Sequence, residues 1–457
     1  MVDDVEFSEV GTKRKGVTMV DDVEFSEVPT KRKKPNTLDE LFDELLVEIL
    51  CRLPCCKNAV MCMSVCKYWA TMISHPSFVR RFVSHKISEK ITPPANINGV
   101  SKYDELRIQM TKDRMFGLVV RNRYDVTWKG YVIRFNDPMN NPCNVSFSCL
   151  PRLVNRGGLP RRLTLAATCN DLLLYQRHVD DFRHETLELY ISNVQTKQWL
   201  ALPSLNVGRQ TKQIGLICDP YCSSDVDAFR ACIVVIPYTL EDLTEFPAHL
   251  LSHNTRGVWR NVVLSLPSIR CQIDPNGPHF CIGTKIYFHF ASELIGYIIS
   301  FDAFVDVTSS GVIKCHSLLI PQPAMVTSSF FGVFHGQLHM CEYDDDGRYR
   351  VWALKDHETG EWSLRHSVIG RDWILRDRSL AKLVNNSPVF GNTIGFHPVN
   401  PDIIYVLSQR WIILCNLSTR TMEIACKLPR HTTRLFPFAR SFDITLPLWP
   451  TPLPTLV

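Results

Sequence analysis

Between Asp43 and Leu53 the large apolar residues are Leu45, Leu46, Ile49, Leu50 and Leu53, at i, i+1, i+4, i+5 and i+8. That spacing lays one broad apolar stripe along an amphipathic helix and turns Glu44, Glu48 and Arg52 towards water. Pro54 ends the helix, since the residue before a proline avoids the α region and the ring cannot continue the ladder. A second short helical run passes through Ala59, Val60 and Met63, and a third through Val65, Trp69, Met72 and Ile73. His75-Pro76-Ser77 breaks the chain again, and Ser77 is placed to cap a last turn holding Phe78 and Phe82. Residues 84 to about 112 read as a polar, partly helical connector with Pro93-Pro94 in its middle. From Met115 the pattern changes to short β-branched and aromatic runs between Gly, Pro, Asn and Asp clusters. LELYIS (187–192), KIYFHF (285–290), RYRVWAL (348–354) and RWIILCN (410–416) are examples, and their number predicts an all-β unit.

Fewer than fifty helical residues cannot bury so many large side chains among themselves, because a unit of that size leaves too much surface wet. Some of the leucines and Trp69 are therefore expected to face a partner. The stretch resembles an F-box. The pattern is carried by Leu41, Glu44, Leu45, Leu46, Glu48, Ile49, Leu50, Arg52, Leu53, Pro54, then Val65, Cys66, Lys67, Trp69, then Ile73, Ser74, Pro76 and Phe78. Phe42 departs from it, standing where the family usually has a proline that pre-sets the helix start.

The β-rich part carries a faint repeat. Asn193-Val194-Gln195-Thr196-Lys197-Gln198-Trp199 is its clearest copy, and Asp356-His357-Glu358-Thr359-Gly360-Glu361-Trp362 has the same spacing. Asn416 to Met422 replaces the tryptophan with methionine, Asn254 to Trp259 is one residue shorter, and weaker echoes begin at Asn136 and Asp302. A spacing of about fifty residues suits the four-stranded blades of a β-propeller, and six or seven would use the length available. Asn170 to Leu174, Tyr190 to Pro203 and Gly215 to Pro220 resemble, in order, the F-box-associated, kelch-like regions that follow the F-box in a large plant family. The expected fold class is thus multidomain: a small N-terminal helical F-box (38–84), a connector (85–112) and a kelch-like β-propeller (113–457).

The first thirty-six residues are a tandem duplication, MVDDVEFSEVGTKRKGVT followed by MVDDVEFSEVPTKRKKPN, so Met19 could serve as an alternative start. With few large apolar side chains this tail is expected to be disordered. Its clusters Lys13-Arg14-Lys15 and Lys31-Arg32-Lys33-Lys34 look like a nuclear localisation signal, or else a solvated charge run. Nucleus and cytoplasm are both open. A net charge of +5 is small for 457 residues, and Arg152, Arg156, Arg161 and Arg162 lack interleaved aromatics, so nucleic acid is not expected as a partner. No run of eighteen apolar residues suggests a membrane span, and the acidic start lacks the core of a signal peptide.

Seventeen cysteines, an odd number, suit a reducing compartment in which buried thiols act as small hydrophobes. Cys51, Cys55, Cys56, Cys62 and Cys66 crowd near His75, but without a two-residue-spaced pair they read as structural thiols, and no metal or cofactor is expected. No HExxH, nucleophile elbow, P-loop or glycine fingerprint occurs, so no catalytic residue is assigned. The resemblance implies a non-catalytic substrate-recognition adaptor of a Skp–cullin–F-box ubiquitin ligase. Its F-box would dock a Skp-type linker, and through it a cullin, while the propeller holds an unknown target protein. By position in the motif, Leu41, Leu45, Leu46, Ile49, Leu50, Leu53, Pro54, Val65, Cys66 and Trp69 would form the linker face and its supporting core. The alternatives are an enzyme built on the propeller, or a scaffold that binds the linker without a cullin.

Overall fold

The computed structural model describes residues 37–90, three short strands between 117 and 145, and, from 163 to 453, the strands and turns named below. By contact the chain divides into Met1–Glu48 and Ile49–Val457, and helix α1 (Thr37–Cys51) contributes residues to both. At its end Arg52 and Leu53 donate to the carbonyls of Ile49 and Leu50, each at 3.2 Å, a three-residue reach that tightens the last turn before Pro54. α2 (Cys56–Cys62) and α3 (Lys67–Ser74) follow. Cys66 holds the N-cap place of α3 with extended backbone, its Sγ accepting the Trp69 amide at 3.5 Å, where Ser, Thr, Asp or Asn is usual. α4 (Pro76–Lys90) starts on a proline, whose missing N–H would have no partner there in any case. The cap expected from Ser77 is supplied instead by His75, whose Nδ1 accepts the Ser77 amide at 3.3 Å. Ser77 is already helical, and the element runs fifteen residues rather than one turn.

Beyond the helices, β1 (Gly117–Leu118), β2 (Gly130–Val132) and β3 (Cys143–Val145) form a three-stranded antiparallel sheet. Five larger sheets follow in chain order. The first holds β4 (Thr164–Cys169), β5 (Leu172–Asp180), β6 (Glu185–Asn193) and β7 (Trp199–Ala201), with β8 (Leu205–Asn206) also on β6. The second holds β9 (Lys212–Asp219), β10 (Arg230–Pro237), β11 (Glu245–Ser252) and β12 (Arg260–Ser265). The third takes β13 (Gln272–Ile273), β14 (His279–Ile282), β15 (Lys285–Ala291) and β16 (Gly296–Asp302). Its chain then sends β17 (Val312–Lys314) back to pair in parallel with β12 before β18 (His316–Leu319) completes the sheet. The fourth is β19 (Val326–Phe334), β20 (Gln337–Asp344), β21 (Arg348–Asp356) and β22 (Glu361–Ile369). The fifth has β23 (Ile374–Leu375), β24 (Asn392–Phe396), β25 (Ile403–Ser408), β26 (Trp411–Asn416) and β27 (Thr421–Lys427).

Strands at the inner edges of successive sheets lie side by side: β4 by β9, β9 by β14, β14 by β19 and β19 by β24. Sheets arrayed in this way are the blades of a propeller. Among the described residues there are five blades, not the six or seven expected. The length estimate spread blades over 113–457, whereas these five occupy 164–427.

Each pair of neighbouring blades encloses its own apolar layer. On β10, Ala231, Ile233 and Val235 pack towards the first blade, and Cys232, Val234 and Ile236 towards the third. Burial on both faces is why ACIVVI is an unbroken apolar run rather than an alternating one. Close approach needs glycine in two places. A Cβ on Gly215 of β9 would lie 2.5 Å from Ile286 Cδ1, and one on Gly332 of β19 would lie 2.6 Å from Phe396 Cδ2.

The repeated turn has one place and one job. Asn193, Asp302, Asp356 and Asn416 each end the third main strand of a blade, while Asn254 lies outside the described residues. Asn193 Oδ1 accepts the amides of Gln195 and Thr196 at 2.7 and 2.9 Å, Asp356 Oδ1 accepts that of Glu358 at 2.8 Å, and Asn416 Oδ1 that of Thr419 at 3.0 Å. The fifth residue of the motif (Lys197, Gly360, Arg420) is left-handed, with φ of 62°, 71° and 55°. The closing tryptophan then pins its blade to the preceding one. Trp259 Nε1 donates to Pro203 O at 2.8 Å and Trp362 Nε1 to Leu319 O at 2.9 Å, while Met422 is buried between the fourth and fifth blades. The echo at Asn136 lies outside the described residues.

Residues 449–453 join two parts of the Ile49–Val457 unit. The Thr451 amide donates to both Asp171 carboxylate oxygens at 3.2 Å, and its carbonyl accepts Asn193 Nδ2 at 2.6 Å. Asn193 Nδ2 and Gln195 Nε2 also donate to Asp171 Oδ2, at 2.8 and 3.0 Å. Leu453 packs against the layer between the first two blades. Trp449 stands edge-on to Phe78 and Phe82 of α4, with ring centroids 5.9 and 5.3 Å apart.

Candidate functional site

The feature least explained by the fold is apolar surface on the helices. On α1, Phe42, Leu45 and Ile49 lie at i, i+3 and i+7 and are 67%, 53% and 62% exposed. Leu50 and Cys51, on the other side of the same helix, are buried. An isolated exposed leucine needs no explanation, whereas a row on one helical face is a candidate interaction surface. In residues 49–90 a second set is outward: Val60 and Met61 of α2, Val65 just after it, and Tyr68 of α3. The interior of this stretch is made by Ala59, Ile73, Phe78, Phe82 and Val83.

The motif residues therefore fall into three groups. Leu45, Ile49, Pro54, Val65 and Cys66 are exposed, Leu46, Leu53 and Trp69 are half-buried, and Leu50 is buried. The side chain of Leu41 lies outside the described residues. Pro54 and Cys66 have local tasks as helix stop and helix cap, so their exposure alone does not make them contact residues. Sequence reasoning did not single out Phe42, Val60, Met61 and Tyr68 for the face. The signal for Phe42 was present, since it continues the three- and four-residue spacing of Leu45 and Ile49 one turn earlier.

The crowded cysteines do not converge. Cys51 is buried, Cys56 and Cys62 are half-buried, Cys55 and Cys66 are exposed, and Cys55 Sγ donates to Asn58 Oδ1 at 2.8 Å. Burial, then the neighbouring Cys55, pushes the Cys56 thiol above its ordinary range. Among the described residues no group of three or more His, Cys, Asp or Glu side chains is gathered in a way that could hold a metal ion. Among them too, no helix is long and apolar enough to cross a membrane. The basic clusters of the tail and Arg152 to Arg162 lie outside the described residues.

Several ionisable groups of the propeller are engaged within and between blades. Arg177 of β5 faces Glu188 of β6 across the ladder in an ion pair, and Glu342 of β20 faces Arg350 of β21 in the corresponding place of the fourth blade, with the charges exchanged. Arg350 also reaches Asp344 at 2.8 Å, and Trp352 Nε1 donates to Glu342 Oε1 at 3.2 Å. Asp171 is held above the usual carboxylate range by burial, against the three donors that it accepts. His366 and Asp402 pair at 2.8 Å between the fourth and fifth blades. These contacts brace strands and blades.

Residues 38–81 match the F-box domain family. No curated protein matches the chain. Among solved structures it is similar to an oligogalacturonate lyase in complex with manganese, at 11% identity and a TM-score of 0.35, over 70% of this chain and 75% of that one. It is also similar to a structure from a study of two prolyl endopeptidases, at 9% identity and a TM-score of 0.30, over 75% of this chain and 53% of that one.

Proposed function

We propose that the chain is the substrate-recognition adaptor of a Skp–cullin–F-box ubiquitin ligase. The helices dock a Skp-type linker, and the propeller holds a target protein near the ubiquitin-charged enzyme. One observation carries this reading: the F-box match at residues 38–81 falls on helices that leave Phe42, Leu45, Ile49 and Val65 in water. The adaptor performs no bond chemistry in this reading. It supplies proximity, replacing a bimolecular encounter by transfer at high effective concentration. Leu41, Leu45, Leu46, Ile49, Leu50, Leu53, Pro54, Val65, Cys66 and Trp69 are proposed as the linker face and its supporting core. Covering one large aliphatic side chain contributes about 1.5–3 kcal/mol, so a charge in its place costs at least that much in binding.

The test is co-purification of the full chain with a Skp-type linker and a cullin. Wild type should capture both, and Ile49→Asp should weaken capture of the linker at least about tenfold while leaving the unfolding midpoint unchanged, since Ile49 is exposed. Linker without cullin would support a scaffold, and full capture by the Ile49→Asp and Leu45→Asp variants would remove the docking face. Lys13-Arg14-Lys15 and Lys31-Arg32-Lys33-Lys34 support nuclear import as part of the same proposal. Residues 1–36 fused to a fluorescent protein and showing no nuclear enrichment would dismiss that part.

A further inference from the structure

Cys169 ends β4, the inner strand of the first blade, and Cys218 lies near the end of β9, the inner strand of the second. Both residues are buried, and their sulfurs are 3.2 Å apart. Each Sγ also lies 3.9 Å from the other residue's carbonyl oxygen, so the two side chains point at one another across the blade boundary. Asn170, next in the chain and left-handed at φ 54°, donates its side-chain amide to Cys218 Sγ at 3.4 Å. The third cysteine nearby, Cys281 of β14, directs its thiol to the Leu216 carbonyl at 3.4 Å.

We propose that Cys169 and Cys218 form a peroxide-responsive dithiol that closes to a disulfide and staples the first blade to the second. A sulfur–sulfur bond is about 2.05 Å long, so closure needs an approach of roughly 1 Å. The sulfurs already face each other across that gap. The chemistry needs one small peroxide. One thiol releases its proton, and its thiolate attacks a peroxide oxygen. The O–O bond breaks, leaving a sulfenic acid and a hydroxide that takes up a proton as water. The second sulfur, as its thiolate, attacks the sulfenic sulfur. The S–O bond breaks, hydroxide leaves, and a second proton completes a second water. Two thiols have lost two electrons in all, and the peroxide has been reduced to two waters.

Asn170 donates to the Cys218 sulfur, a contact available when that sulfur reacts as its thiolate. The hydrogen bond to Cys169, followed by burial, holds the Cys218 thiol well above its ordinary range, so little thiolate is present and closure is slow at neutral pH.

The test is peptide mapping of the full wild-type chain after treatment with hydrogen peroxide, with free thiols alkylated under denaturing conditions before digestion. The expected result is one dominant disulfide-linked peptide joining Cys169 to Cys218. It should form faster as pH rises from 7 to 9 and be reversed by dithiothreitol, and the unfolding midpoint should rise by several degrees. Recovery of Cys169 and Cys218 as alkylated thiols while other cysteines are oxidised would overturn the proposal. So would preferential linkage of Cys218 to Cys281, or a closure rate indifferent to pH. No substitution is needed, so a folding defect cannot be mistaken for a negative result.

Discussion

The fifth residue of the repeated turn offers a test in which two substitutions must not move stability in the same direction. Gly360 has φ 71° and Lys197 has φ 62° in equivalent positions, after Asp356 and Asn193. A left-handed residue with a Cβ is disfavoured by about 1–2 kcal/mol relative to glycine. Glycine in turn gives the unfolded chain more freedom, which offsets about 0.4–1 kcal/mol. Gly360→Ala should therefore destabilise the propeller, by up to about 1.6 kcal/mol. Lys197→Gly should be neutral or stabilising by up to about 1 kcal/mol. Side-chain crowding does not confuse the first value, because a Cβ on Gly360 would sit 3.5 Å from Leu318 Cδ2, an ordinary contact. The assay is urea unfolding of the full chain, with each midpoint measured against wild type at constant slope. Shifts of the same sign in both variants, or a gain on Gly360→Ala, would show that backbone handedness is not what selects the residue at that place.

Trp362→Phe keeps a ring but removes the donor to Leu319 O, and Trp259→Phe does the same for Pro203 O; each should cost about 0.5–1.5 kcal/mol in urea unfolding. The two sit at different blade boundaries, so the double variant should lose the sum, and a marked departure would contradict independent pins. Trp449→Ala strips the ring from Phe78 and Phe82 and should cost about 3–5 kcal/mol, whereas a loss below about 1 kcal/mol would mean that the 449–453 segment is not an anchor. Asp402 is held below the usual carboxylate range by the Ser418 hydroxyl first, at 2.7 Å, and then by His366. A depressed folded-state value adds stability above the unfolded value of 3.8 and loses it as pH falls through the folded one, so Asp402→Asn should flatten the acid limb of the stability–pH curve below about pH 5, and an unchanged limb would refute the pairing.

Much of the architecture was legible because its signals are local. The helix stop at Pro54, the β-branched and aromatic runs of the strands and the turns at Asn193, Asp356 and Asn416 are each fixed within a few residues. The fifth place of the motif varies among Lys, Gly and Arg, and the backbone gives the three a shared left-handed conformation that the residue types alone do not announce. The weakness of the Asp302 echo also has a cause. Where the other blades go straight to a fourth strand, this chain first sends β17 to the neighbouring blade, so the tryptophan that would close the motif has no place. Dividing length by period failed for a related reason: period measures the size of a blade, and residues outside the blades carry no mark that excludes them from the division.

The site was legible in kind but not in detail, and the difference is one of range. That the helical stretch is too apolar for its size follows from counting, but which side chains remain outside depends on partners far away in the chain. Nothing near Phe78 or Phe82 says that Trp449 will cover them, and that contact decides that these two rings belong to the interior while Phe42 does not. The same holds for Asp171, a turn residue by its neighbours Asn170 and Leu172, which becomes a buried acceptor through Thr451. Helical periodicity finds the stripe on α1 but cannot say which edge is wet, because Leu45, Leu46, Ile49 and Leu50 differ little in hydrophobicity and only packing separates them. An outward row of Phe42, Leu45 and Ile49 on a helix that buries Leu50 and Cys51 is therefore stronger grounds for a docking face than the motif's list of leucines. It also names the side chains whose replacement by charge should leave the fold intact.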